Sequence, residues 1–372
     1  MNTATLYGSA LSLYTGRARS YLLKAGIPYR ETTPITAHYR DVVVPRAGGR
    51  QGVPTLELPD GTVIRDGAAI IDHFEQQSGH SFSPQGEVQN LISRLFDVIG
   101  AEGLLRPAMH YRWNFPDENL DFLIFHFETM TPRVADRRQR AEKGADRMRA
   151  AGRSFGALPD TFDFIEAYYL DVLQLMNDHF AAYPYLLGGR PSIGDFGLIA
   201  PMYGHLGRDP KPLSLMQSRA VNVFRWVERM NRPEPDLGEY LDQEPQYLAD
   251  DEVPASLIAL LKCLARDFVP ETIAAAEAIN TWLSEQRELP AGTEVARGVG
   301  MAEFVVDGVK LNALAQPYRF YLLSRVQALY ETMDDASRTR ADLVLEACDM
   351  LPIMGTKLDR TIDRSNNLEV WR

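Results

Sequence analysis

Two stretches hold the residues whose types and spacing bear most on chemistry. The first is Gly52-Val53-Pro54-Thr55-Leu56. A proline at a strand start donates no ladder hydrogen bond. The main-chain groups of Val53 are therefore unpaired by a sheet and open to a ligand. The second is Asp66-Gly67, directly ahead of Ala68-Ala69-Ile70. Asp is a favoured helix N-cap, and a helix N-terminus can bind a carboxylate through its N–H groups. Both stretches offer main-chain groups to a ligand. Other chemistries lack their residues. No His, Cys, Asp or Glu cluster has metal-ligand spacing, so no metal site is expected. Gly48-Gly49 lacks the Lys and Ser/Thr of a phosphate-binding loop. The Gly-x-Ser-x-Gly elbow of hydrolases is missing.

The elements that position these stretches follow from local patterns. Thr55-Leu56-Glu57-Leu58 and Thr62-Val63-Ile64 are short alternating runs, and Pro59-Asp60-Gly61 is a turn between them. Ile70, Ile71 and Phe74 then recur at helical spacing. Upstream, Thr5-Leu6-Tyr7 predicts a strand, 8–12 a loop and 17–24 a helix, closed by Ala25-Gly26-Ile27-Pro28-Tyr29. Residues 1–80 thus predict a small α/β layer. A Ser/Gly/Pro-rich linker spans 78–86. From 87 the pattern is helical, with Leu91, Ile92, Leu95, Phe96 and Ile99 on one face and a long helix over 161–180. Ser192 and Asp195 resemble a capping box. The Arg-rich segment 132–153 predicts a solvated helical face, with a patch for an acidic substrate as the sharper alternative. Beyond 245, helices are expected over 256–265, 272–286, 317–332 and 337–350. A hairpin over 303–311 turns at Asp307-Gly308.

At 372 residues the chain suits two or three domains. Its net charge of −11 gives no support to nucleic-acid binding. No apolar run is long enough to span a membrane, and the N-terminus has no signal layout. The two cysteines, Cys263 and Cys348, are far apart and suit a reducing cytoplasm.

The order Val53-Pro54-x-Leu56, Asp60-Gly61 and Asp66, with the Gly-Ile-Pro-Tyr exit at 26–29 and the Ser192/Asp195 pair, resembles the glutathione S-transferase superfamily. The resemblance implies a thioredoxin-like N-terminal domain (1–80), an all-helical domain (87–244) and an extension (245–372) that it does not explain. It implies that Pro54 is cis, that Val53 pairs its backbone with the cysteinyl part of glutathione, and that Asp66 helps to hold the γ-glutamyl group. The hydroxyl expected after the acidic residue is replaced by Gly67, which removes a hydrogen bond worth on the order of 1 kcal/mol. Counting back from Ala18-Arg19 places the thiolate-stabilising hydroxyl at Ser12, with Tyr14 as the alternative. Ser12 is otherwise a loop or N-cap serine, and Asp66 an ordinary N-cap. No cysteine lies in this loop, so mixed-disulfide reduction is not expected. An electrophile pocket between the domains would draw on Tyr14, His110, Tyr111, Trp113 and Tyr203, though aromatic residues at helical positions are more often core.

The resemblance implies a cytoplasmic, homodimeric enzyme in which glutathione is co-substrate and its thiolate attacks a hydrophobic electrophile. The rival reading is a non-catalytic binding or interaction module on the same fold. A third is a glutathione-dependent isomerase or ether-cleaving enzyme.

Overall fold

The structure is a computed structural model that describes residues 3–233, 235–286 and 288–372. The N-terminal runs form strands β1 (Ala4–Tyr7), β2 (Tyr29–Thr32), β3 (Thr55–Glu57) and β4 (Val63–Arg65). Helices α1 (Leu13–Lys24), the one-turn α2 (Val44–Arg46) and α3 (Gly67–Ser78) connect and follow them. The sheet order is β2-β1-β3-β4. β1 is parallel to β2, with Ala4 opposite Tyr29, and antiparallel to β3, with Leu6 opposite Leu56. A parallel pair needs a crossover, which α1 supplies. Gly61, at φ 86°, lets the β3–β4 hairpin turn. Leu6, Leu56 and Ile64 pack against Ala18, Leu22 and Ile70 as a small core between the sheet and the helices.

The remainder is mostly helical, beginning with α4 (Glu87–Val98), α5 (Leu105–Trp113), α6 (Pro116–Thr129), α7 (Arg137–Arg153) and α8 (Phe162–Ala182). Then come α9 (Ile193–Gly204), α10 (Pro210–Arg219) and α11 (Val221–Met230). Leu91, Ile92, Leu95, Phe96 and Ile99 are fully buried, as their spacing predicts. A π-helical turn, Ile99–Gly103, joins α4 to α5. The Asp195 carboxylate closes the capping box on the Ser192 N–H (2.8 Å) and also accepts from Trp226 Nε1 (3.1 Å). The basic α7 is a solvated face, with pairs such as Arg140–Asp136 along it.

α4 and α9 meet backbone to backbone. A Cβ on Gly100 would lie 2.2 Å from the Gly197 carbonyl carbon, and one on Gly197 would lie 2.4 Å from Asp97 Cα. Only glycine permits this approach.

The extension supplies α12 (Ala255–Glu285), hairpin β5 (Met301–Val306)/β6 (Val309–Leu314), α13 (Pro317–Thr332), α14 (Asp335–Ala347) and hairpin β7 (Ile362–Ser365)/β8 (Leu368–Trp371). The two helices expected over 256–265 and 272–286 are one. Pro270 sits inside α12 without ending it, because Leu260, Leu264, Phe268, Ala275 and Ile279 all face buried packing. Thr272 Oγ1 also satisfies the Phe268 carbonyl (2.6 Å). Burial here outweighs the local cost of about 3 kcal/mol for a helix-interior proline. The β5/β6 turn falls at Asp307-Gly308, as expected. The β7/β8 hairpin was not expected. Its turn is Asn366-Asn367, both at positive φ (46° and 63°), an Asx pair in place of the commoner Asn-Gly. Phe320, Leu323, Leu345, Ile353 and Trp371 belong to the same apolar cluster as Leu95, Phe96 and Met176. No helix among the described residues is long and apolar enough to cross a membrane.

Because Gly197 touches backbone, Gly197→Ala is expected to lower the unfolding free energy by about 3 kcal/mol. Urea denaturation followed by circular dichroism checks this; an unchanged midpoint would contradict the close crossing.

Candidate functional site

The loop after β1 is held by its own polar groups. The Ser12 N–H donates to Ser9 O (3.1 Å), and the Leu11 N–H donates to Ser9 Oγ (3.2 Å). Ser12 is the N-cap of α1, with its Oγ accepting from the Thr15 N–H (3.2 Å). A capping hydroxyl uses only an acceptor lone pair, so its proton is still available to an anion. Gly204 at the end of α9 closes over this point. A Cβ there would lie 2.7 Å from Leu13 Cα.

The Val53-Pro54 peptide is cis. The Pro54 carbonyl accepts from the Asp66 N–H (3.0 Å). Neighbouring Gly52 is engaged by Tyr39 and Thr55. Among the described residues, neither the Val53 N–H nor its C=O has a partner.

Asp66 caps α3 through Ala68 N–H (3.4 Å). Its backbone lies at φ 86°, ψ 141°, a region that costs a non-glycine residue of order 1–3 kcal/mol. The extension holds it there. The Tyr318 hydroxyl donates to Asp66 Oδ2 (2.5 Å), and Arg364 lies 3.5 Å from the same oxygen. Burial and the Asp66 charge keep the Tyr318 hydroxyl well above the usual phenol range. Gly67 has a steric reason. A Cβ there would lie 3.2 Å from Tyr14 O and 3.4 Å from Arg17 Cδ. The buried Arg17, paired with Asp97, occupies the space beside the α3 N-terminus.

The β7/β8 hairpin finishes the edge of the sheet. The Asn367 side chain accepts from the Arg65 N–H (3.1 Å) and donates to the Val63 carbonyl (2.9 Å), as a further strand would. Arg65 in turn bonds Asn367 O (2.7 Å) and Glu369 (2.8 Å).

Tyr14 points away from Ser12's cap. Its hydroxyl reaches Ala101 O and Glu102 Oε1, both at 3.4 Å. Burial, then Glu102 and Asp66, hold it well above the usual phenol range, so it stays a donor. Glu102 is 2% exposed, and its second oxygen has no partner among the described residues. Burial raises its carboxyl to about 7 against the pull of Arg319.

The aromatic set expected between the domains is not gathered around one cleft. His110 and Tyr111 are buried in a ring stack with Phe115, Phe162 and Tyr169, and His110 bonds Glu166 (3.1 Å). Trp113 belongs to a separate apolar cluster with Leu11, Leu123 and Ile124. α5 is buried nearly all round, so these rings serve packing. Tyr203 lies against α1 near Gly16, with Arg208 over its ring. Tyr318, Arg364, Arg17 and Glu102 carry no local sequence signal for a site. The first two stand about 250 and 300 residues from Asp66. Among the described residues, no group of three His, Cys, Asp or Glu could hold a metal ion.

Asn367→Ala leaves Val63 O and Arg65 N–H unpaired, at about 1–3 kcal/mol. The Arg65 amide is expected to lose hydrogen-exchange protection; full protection would refute the edge-closing role. For Glu102, folding favours the protonated form. Its contribution is complete below the ordinary value of 4.5 and is lost as pH rises through about 7. Glu102→Gln should therefore flatten the fall in melting temperature between pH 5 and 8. An unchanged slope would exclude Glu102 as its source.

Residues 6–82 match the family model for the glutathione S-transferase N-terminal domain. No match was found among curated proteins. Similar solved structures include a glutathione transferase from Phanerochaete chrysosporium, at 14% identity and TM-score 0.43, covering 61% of this chain and 96% of that one. A theta class glutathione S-transferase from Xanthomonas axonopodis pv. citri, solved with glutathione bound, has 18% identity and TM-score 0.36 over 62% and 92% of the two chains. A beta-etherase from Sphingobium sp. has 15% identity and TM-score 0.40 over 62% and 95%. Residues 6–82, which carry most of the four-stranded sheet, belong to the glutathione S-transferase N-terminal domain family.

Proposed function

We propose that the N-terminal layer binds glutathione as co-substrate and that Ser12 stabilises its thiolate for attack on a hydrophobic electrophile. The observation that carries this reading is the free Val53 main chain beside cis-Pro54, a ready partner for a peptide backbone. The thiolate is the nucleophile. The α1 N-terminus favours an anion, and the Ser12 hydroxyl still has its proton to donate. Two free, buried cysteines suit a reducing cytoplasm. α13 and α14 of the same chain pack on α4, so a homodimer would form through another face.

A second reading, a non-catalytic binding module, is favoured by one specific arrangement. Asp66 is already bonded to Tyr318 and flanked by Arg364. In the enzyme reading, the γ-glutamyl group competes with Tyr318 for Asp66.

Titration calorimetry with glutathione up to millimolar concentration tests both. Binding is expected, and Tyr318→Phe should tighten it by freeing Asp66. Ser12→Ala should slow conjugation of an activated aryl chloride by about 100-fold, the scale of losing one donor to a developing anion. Absence of binding in both the wild type and Tyr318→Phe would overturn the glutathione reading. Binding without turnover would favour the module.

A further inference from the structure

A surface cleft of about 440 Å³ lies where α3, α4, α13 and β7 meet. It is separate from the Asp66 end of α3: Asp72 lines it six residues along the helix, about 9 Å at 1.5 Å per residue. The volume suits a small organic ligand.

The cleft holds an arginine in excess of its partners. Arg94 of α4 has a side chain only 13% exposed. Among the described residues it makes no hydrogen bond, and its nearest carboxylate oxygen is Asp72 Oδ1 at 3.6 Å. That oxygen is already taken by Arg325 at 2.6 Å. The other nearby acids are satisfied elsewhere. Glu75 accepts from Tyr21, Ser81, Ser83 and the Phe82 N–H. Asp97 pairs with Arg17, and Asp363 with Arg372 at 2.8 Å. The Tyr321 hydroxyl, also in the lining, has no hydrogen-bond partner among the described residues, and Arg325 uses one nitrogen only. Two guanidinium groups and a phenol thus converge with most of their donors free. Burial, then the neighbouring Arg325, lower the Arg94 pKa against the pull of Asp72, Asp97 and Glu75. Ala328 and Ile362 line the same cleft and offer apolar contact.

We propose that this cleft is a binding site for a small organic oxyanion, whose carboxylate or phosphate group is held by Arg94 and Arg325 and whose apolar body rests on Ala328 and Ile362. A planar guanidinium fork matches either anion in bidentate fashion. Such a ligand would touch the α3 segment, the helical segment and the extension together. The proposal is independent of glutathione binding.

Calorimetry on the full chain tests it, with phenyl phosphate and benzoate as separate probes at constant ionic strength. Saturable binding of either probe is expected; the tighter one identifies the anion type. Arg94→Met should weaken it at least tenfold, and Arg94→Lys less. Arg266→Met, in the unrelated cleft that contains Cys263, should leave it unchanged. If Arg94→Met fails to fold by circular dichroism, Tyr321→Phe is read instead, with a severalfold loss expected. No saturable binding of either probe overturns the proposal. So does equal affinity in a folded Arg94→Met protein, or in Tyr321→Phe where that variant is the one read. An equal loss in Arg266→Met would overturn it too.

Discussion

Asp66 is the constraint on which the candidate site depends. Its backbone sits where an L-residue is strained, and it persists because three directions hold it. The N–H is tied to Pro54 O, one carboxylate oxygen caps α3, and the other takes the Tyr318 hydroxyl. The strained residue therefore fixes cis-Pro54, the α3 N-terminus and the extension in one geometry.

The extension is bound by more than apolar burial. Arg106 of α5 pairs with Asp267 and Glu271 of α12, and Arg319 of α13 pairs with Glu271 and with the Glu102 carbonyl. These groups are almost fully buried. Breaking one partner of such a set leaves an uncompensated charge, which costs several kcal/mol, whereas the intact set is near break-even against apolar packing. Two arginines face three acids once Glu102 is counted. Burial raises the Glu102 carboxyl to about 7, so the surplus acid is partly protonated near neutral pH. Glu102 and Asp66 add to burial in raising the Tyr14 hydroxyl.

Much of the N-terminal layer was legible because its signals are local. The Asp60-Gly61 turn, the proline before β3 and the apolar spacing at Ile70 and Ile71 each act within a few residues. The Asp307-Gly308 hairpin and the Ser192/Asp195 cap were legible for the same reason. The break expected near Pro270 failed because local propensity lost to burial along both halves of α12. The β7/β8 hairpin was missed because Asn-Asn is a weaker turn signal than Asn-Gly. His110, Tyr111 and Trp113 were candidates for a pocket wall by residue type, but their spacing could not tell a cleft from a core.

By itself the sequence determined where strands, turns and caps fall, and that a proline would leave Val53 unpaired, since these depend on neighbours along the chain. Only the tertiary structure decided what stands opposite. It brought Tyr318 and Arg364 to Asp66, Arg17 into the space beside Gly67, and Arg325 to the carboxylate nearest Arg94. Such pairings join residues tens to hundreds of positions apart. They are settled by packing and charge compensation in three dimensions, which no local pattern encodes.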